Sequence, residues 1–409
     1  MIEKIIIIST GVNLGISIYL KIRQLLALHK GQTETTKKIA DDKQFEGMKS
    51  YNRDKLISDM FESACSNVKD ILLIHFRYLQ YVYDANFRDK SSYSELLFFI
   101  FFFNLERIIG LPFTVLNTFF IEARHGFNKT TAALFVSDFL KSTVITSFLL
   151  AIVVQIALKL VSAYSNFYFY LWLFIAVFQL SMVVIYPLVI QPLFNKFTEL
   201  EDGSLKDRIG ELCKKIGFSA SKIFVMDGSK RSGHSNAYFI GLTKEKRIVL
   251  YDTIINQLTE NEILAVLCHE FGHWYHSHTL KLISKVLIEQ FIYLYVINVI
   301  LNWELFKTQI FYQNEPVIIK LLYLSYVFNI LKYPIGLMSN MMSRKYEREA
   351  DRFAVKENYG EDLSSALVKL NTENKGNLLP DPLFSAFYYS HPTIIERLDL
   401  IKQEMDKTK

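Results

Sequence analysis

Cysteine is scarce in this chain. Only Cys65, Cys213 and Cys268 are present, scattered and with no C-x-x-C pair. That argues against a disulfide framework and a cysteine-built metal site, and it leaves the redox compartment open. Internal repeats and low-complexity linkers are absent too. A basic stripe is also missing: 46 Lys and Arg against 41 Asp and Glu give a net charge of only +5, dispersed along the sequence, so no nucleic-acid partner is expected. No small-residue cleavage site follows the first apolar run, so residues 1–22 read as a retained anchor rather than a removed signal peptide.

What is present is hydrophobic. Half the chain (51%) is apolar, 14% is aromatic, and mean hydropathy is +0.18. These values fit a polytopic membrane protein with a substantial polar part. Apolar stretches long enough to span occupy residues 5–22, 96–120, 144–160, 167–190, 283–301 and 317–342. A seventh, residues 71–83, is short and carries His75 and Arg77. The predicted organisation is a membrane domain over 1–190, a polar block over 191–281, two spans within 282–342, and a second polar block over 343–409.

One motif stands out from this background. His269-Glu270-Phe271-Gly272-His273 is H-E-x-x-H, entered through the apolar run 263–267, and Thr259 with Glu262 gives the pattern of a helix-opening capping box. On a helix, His269 and His273 share a face and aim two imidazoles at one point. Glu270 projects about 100° away, and in zinc proteases the glutamate of this motif acts on the metal's water. A third ligand is needed. Glu347-x-x-Ala350-Asp351 offers one: Glu347 would complete a His/His/Glu set, and Asp351, four residues on, can accept an imidazole N–H from a ligand. Taken alone, that segment also reads as a solvated face laced by Arg344, Lys345, Arg348 and Arg352.

Charge and parity set the expected orientation. With seven crossings, Lys37, Lys38, Arg124, Lys129, Lys141, Lys214, Lys215, Lys230, Arg231, Lys246 and Arg247 fall on one face. Little more than Arg88, Lys90 and Lys307 falls on the other. The crowded face is then cytosolic and the N-terminus lumenal. Two spans separate His269 from Glu347, so both parts of the site return to one face.

Within the polar blocks, residues 201–217 read as an amphipathic helix, and residues 222–227, 235–241 and 247–251 as short strands. Residues 23–66 form a charged, partly helical connection. Glu106 and Arg107 interrupt an apolar run: either they face protein or water at membrane depth, or the span ends near Asn104 and the chain re-enters at Leu111-Pro112.

Several further stretches carry a resemblance. They are Leu111-Pro112-Phe113, Asn117-Thr118-Phe119, His125-Gly126-Phe127-Asn128, Pro192-Leu193-Phe194-Asn195-Lys196, His234-Ser235-Asn236-Ala237-Tyr238-Phe239 and Ser390-His391-Pro392 with Glu396-Arg397. In this order around the metal motif, they resemble the type I CAAX prenyl proteases from about residue 107 almost to the C-terminus. The resemblance implies seven transmembrane helices forming a barrel around a chamber, capped by a small α+β zinc domain. It implies one zinc on His269, His273 and Glu347, with Glu270 as catalytic base. His391 and Arg397 would contact substrate and stabilise the oxyanion, and Asn236, Ala237, Tyr238 and Phe239 would form an edge strand that holds the substrate backbone. The implied reaction removes the C-terminal tripeptide from prenylated CAAX proteins, at the endoplasmic reticulum and inner nuclear membrane, with the catalytic domain facing the cytosol. The chain's own end, Asp406-Lys407-Thr408-Lys409, carries no prenylation box.

Two departures from the family pattern bear on specificity rather than chemistry. The connection before the metal helix is short, residues 257–262, and Cys268 stands where the family commonly has Gly. Without the resemblance, residues 236–239 also admit the less favoured reading of an interior strand, and His391-Pro392 that of helix-start punctuation. The alternative activity is a membrane quality-control zinc protease acting on non-prenylated or translocon-stalled substrates. A scaffold would have no need of Glu270, and a transporter would not explain the metal constellation.

Overall fold

The computed structural model describes residues 2–240, 246–304 and 315–408. Gly241, expected to close a strand, and Lys307, used in the loop-charge count, lie outside the described residues. Among the described residues, six apolar stretches form helices long and apolar enough to cross a membrane. The first is α1 (Ile2–Leu28). After the single turn α2 (Glu34–Lys37), α3 (Asp42–His75) runs back beside it, opened by a reciprocal Asp41/Gln44 capping box. Lys21 of α1 donates to the Asp59 carbonyl and the Ser63 hydroxyl of α3, and Glu3 pairs with Arg77 just past its end at 2.7 Å. The contacts are eighteen residues apart on both helices, about 27 Å of axial rise, close to the roughly 30 Å of bilayer hydrocarbon.

This corrects the placement of the seventh apolar stretch. Residues 71–83 do not make a helix of their own. They are the far end of α3 and the start of α4 (Tyr78–Asn86), broken where Arg77 takes a left-handed φ of 53°. The helix that matches the height of α1 is α3, and the charges of its far half are partnered inside the protein: Lys69 pairs with Asp70 and Glu106, and the Tyr326 hydroxyl donates to Asp70. A hydropathy window misses such a helix because it counts charges without seeing their partners.

Helices α5 (Ser94–Val115), α6 (Ala132–Ala163) and α7 (Phe167–Ile185) follow. α5 does not end near Asn104; it continues past Pro112 into a π-helical turn at Leu116–Glu122. Glu106 and Arg107 therefore lie within one unbroken helix. Arg107 donates to Ser142 and Thr143 of α6, and Asn104 to Ser147, a polar ladder between two apolar helices. α6 has no buried residue in its 32 and α7 has three in its 19. Such helices form a wall one helix thick, open on both faces. A second π turn, Tyr186–Ile190, ends α7.

The polar part begins with β1 (Phe197–Glu199), a strand the sequence reading did not mark, followed by α8 (Ser204–Ile216). β2 (Ala220–Met226), β3 (Ala237–Ile240) and β4 (Lys246–Tyr251) complete one sheet of order β1-β2-β4-β3. β4 runs parallel to β2 and antiparallel to β3. It buries Ile248, Val249 and Leu250 in succession, as a central strand covered on both faces does. β3 pairs only with β4 among the described residues and stands at the sheet's edge.

α9 (Asp252–Gln257) and α10 (Glu260–Tyr275) lead to α11 (His278–Asn302) and α12 (Val317–Phe328). α13 (Lys332–Lys356), α14 (Gly360–Glu373), α15 (Pro382–Tyr388) and α16 (Ile394–Thr408) close the chain. One buried cluster joins α8, the sheet and α10 to Phe353, Leu363 and Ile401 from the C-terminal block. The two polar blocks share that core although two membrane helices separate them in sequence.

Candidate metal centre

The site rests on α10. Its capping box forms as the sequence predicts, with Thr259 and Glu262 bonded reciprocally. The Glu262 carboxylate also takes Lys369 at 2.7 Å and Ser365 at 2.6 Å, tying α14 to the start of the helix. Burial works against its charge, but these donors hold it down at about 2.

One glycine sets the distance to the opposing helix. A Cβ on Gly272 would sit 2.9 Å from Ala350 Cα and 3.1 Å from Phe353 Cβ. α10 and α13 touch backbone to backbone at Gly272 and Ala350, and this close approach brings Glu347 within reach of the two histidines.

The distances carry the argument. His269 Nε2 lies 3.3 Å from His273 Nε2, and the Glu347 carboxylate lies 3.4 Å from the first and 3.3 Å from the second. Tetrahedral ligands on bonds of about 2.05 Å stand about 3.3 Å apart. Glu347 Oε2 is buried without a well-directed hydrogen bond, although His391 Nδ1 is 2.8 Å away. The His269 ring is disfavoured as a cation by burial, yet its bonds to Asp351 and Glu347 raise it to about 9, so the pocket favours positive charge. Together the three donors could hold a divalent metal ion.

Around the donors, His269 Nδ1 meets Asp351 at 2.8 Å, which leaves Nε2 facing the other ligands. Arg397 grips the same Asp351 through two bonds of 2.9 and 2.6 Å, with Nη1 3.8 Å from Glu347. Glu270, next to His269, is pushed above the ordinary carboxylate range by burial, against the pull of both histidines. The Cys268 thiol is fully buried in the domain core and pushed up to about 12, which takes it out of metal chemistry. Asn236 opens β3 with an exposed side chain, Ala237 is buried, and the Tyr238 hydroxyl accepts from Gln191 at 2.6 Å.

Sequence reasoning missed the support of the second histidine. His273 Nδ1 is 3.0 Å from His278 Nδ1, and His278 Nε2 is 2.9 Å from Glu349. Tyr346 stacks on the His278 ring at 4.2 Å. His278 lies across the turn that ends α10, and Glu349 is two residues from Glu347, so neither shares a helical face with the ligand it serves. The two π turns also deliver partners: Glu122 bonds Tyr51 and His234, and Gln191 follows directly on the second turn.

The comparisons with known proteins agree with this arrangement. A family model described as CAAX prenyl protease N-terminal, five membrane helices, matches residues 22–196, and one described as Peptidase family M48 matches residues 199–405. The chain is 37% identical over 403 residues to the CAAX prenyl protease 1 homolog of Arabidopsis thaliana, covering 95% of each. It is 34% identical over 413 residues to that of Homo sapiens, covering 89% of this chain and 87% of the relative. CAAX prenyl protease 1 of Saccharomyces cerevisiae is 32% identical over 398 residues, covering 90% and 88%. The crystal structure of S. mikatae Ste24p matches with a TM-score of 0.92 at 31% identity, covering 98% of both chains. With His269 and His273 of α10 and Glu347 of α13 gathered as a metal-ready triad and both halves of the chain matched, this protein belongs to the CAAX prenyl protease 1 family of membrane metallopeptidases.

Proposed function

We propose that the chain is a zinc endopeptidase that removes the C-terminal tripeptide from prenylated CAAX proteins. The observation that carries this reading is the mutual spacing of His269 Nε2, His273 Nε2 and the Glu347 carboxylate at 3.3–3.4 Å. Bound there, zinc would polarise the scissile carbonyl and make water a nucleophile at neutral pH.

The chain's own groups supply the rest. Glu270 takes the proton of the attacking water and passes it to the leaving amine. His391, exposed beside Glu347, donates to the developing oxyanion. Arg397, locked on Asp351, holds the His269 tautomer and adds positive charge behind it. The free edge of β3, at Asn236, Ala237, Tyr238 and Phe239, takes the substrate backbone by strand addition, which tolerates varied side chains.

The test is hydrolysis of matched peptides, prenylated and bare, by the purified protein with and without a chelator. Cleavage confined to the prenylated peptide and abolished by chelation is expected. Equal cleavage of bare peptides would move the reading to a general membrane-protein protease. In cells, both polar blocks face the cytosol at the endoplasmic reticulum and inner nuclear membrane. Cysteines placed at Lys230 and Lys402 should label from the same side of sealed vesicles; opposite sides would break the topology.

A further inference from the structure

A half-open, largely apolar pocket borders the metal centre and has no role in the chemistry above. Its volume is about 460 Å³, within the roughly 300–1,000 Å³ of ligand pockets. Val183 and Tyr186 at the end of α7, Tyr238 on β3, the ligand His273, and Trp274 and Leu280 line it. The turn between α10 and α11 shapes one wall: Ser277, at φ 55°, reverses the chain so that Trp274 and Leu280 face the same space. Tyr186 and Leu280 are each more than half exposed. The Lys246 ammonium lies over the Trp274 ring at 4.2 Å, with burial lowering its pKa. The lining is thus mainly rings and aliphatic carbon, with Gln191, Lys246, Ser277 and Thr279 as polar members beside His273.

We infer that this cavity receives the isoprenoid chain of the substrate cysteine. The inference rests on the proposed activity, in which the bond cut adjoins the prenylated cysteine. A residue at the cut bond, held along β3 and over His273, carries its side chain into the first apolar space bordering both, and this cavity borders both. It also lies at the catalytic end of the α7–α11 pair, where Trp172 of α7 bonds the Leu287 carbonyl further along. A long chain can therefore continue from the cavity along two apolar membrane helices.

The test uses the full-length zinc-loaded protein carrying Glu270→Gln, so that binding is read without turnover. CAAX peptides bear thioether-linked chains of five, ten, fifteen or twenty carbons, or an unmodified cysteine. Affinity should rise by about tenfold or more per isoprene unit up to fifteen carbons. Adding Val183→Trp with Leu280→Trp, which fill the space, should cost the fifteen-carbon peptide about tenfold or more and the five-carbon peptide less than about threefold. Metal content serves as the check that the filled variant is folded. Should it fail to fold, Leu280→Ala enlarges the space instead and should shift preference toward twenty carbons. Equal losses at every chain length, or an unchanged preference, would overturn the cavity assignment alone. A parent protein that binds every chain length as it binds the bare peptide would overturn the proposed substrate as well.

Discussion

α10 and α6 are built to opposite specifications. α10 buries nine of its 16 residues, and its approach to α13 is fixed by Gly272 against the Ala350 backbone. α6 buries none of its 32 and meets its neighbours through scattered hydroxyls and apolar side chains. In one region most side chains are buried against fixed neighbours, because three ligand atoms must coincide within tenths of an ångström. In the other, length and an apolar surface suffice. Substitutions should thus be expensive in the first region and cheap in the second.

The largest effects should come at the centre. His269→Ala should remove bound metal and activity together, while Glu270→Gln keeps the metal and lowers turnover by about a thousandfold or more. Metal analysis beside a kcat measurement separates the two; zinc loss in Glu270→Gln would mean its role is misassigned. Arg397→Ala should lower kcat by about a hundredfold. A loss of peptide affinity with kcat intact would make Arg397 a clamp for the substrate carboxylate instead.

Packing comes next. Gly272→Ala forces a Cβ against backbone and should cost about 3 kcal/mol, with weaker zinc binding, read by thermal unfolding and metal competition. Glu262→Gln should cost about 2 kcal/mol at neutral pH. Because Glu262 is held at about 2, below its ordinary 4.5, its contribution is full above about pH 4.5 and fades as pH falls through about 2. The difference between wild type and Glu262→Gln should close over that window; a constant difference would remove the ionic explanation. The smallest change is expected in the wall. On α5, which packs beside α6, a Cβ on Gly110 meets nothing within 4 Å, so Gly110→Ala should shift stability by less than about 1 kcal/mol. A loss comparable to Gly272→Ala would end the contrast.

The sequence was most readable where local periodicity and chemistry coincide. His269, Glu270 and His273 share a short helical spacing, Thr259 and Glu262 announce the helix start, and Glu347 with Asp351 repeats the logic. Six of the apolar runs were plain from hydropathy. Less visible was whatever depends on partners distant in sequence. α3 was misplaced because Lys21 and Glu106, which accompany its polar groups, come from other helices. His278 and Glu349 were missed because they approach His273 across a turn and from another helix. The π turns leave no compositional mark that distinguishes them from ordinary helix.

α13 begins at Lys332 and reaches Glu347 without interruption. Those fifteen residues make an arm of about 22 Å. Tilting it by about 5° at its foot would displace the Glu347 carboxylate by about 2 Å, the length of a whole metal–oxygen bond. Helix tilt is the variable through which a bilayer of unsuitable thickness strains a membrane protein. The angular tolerance of the chemistry is therefore imposed on a helix rooted in lipid, and the bilayer becomes part of what keeps the enzyme in register.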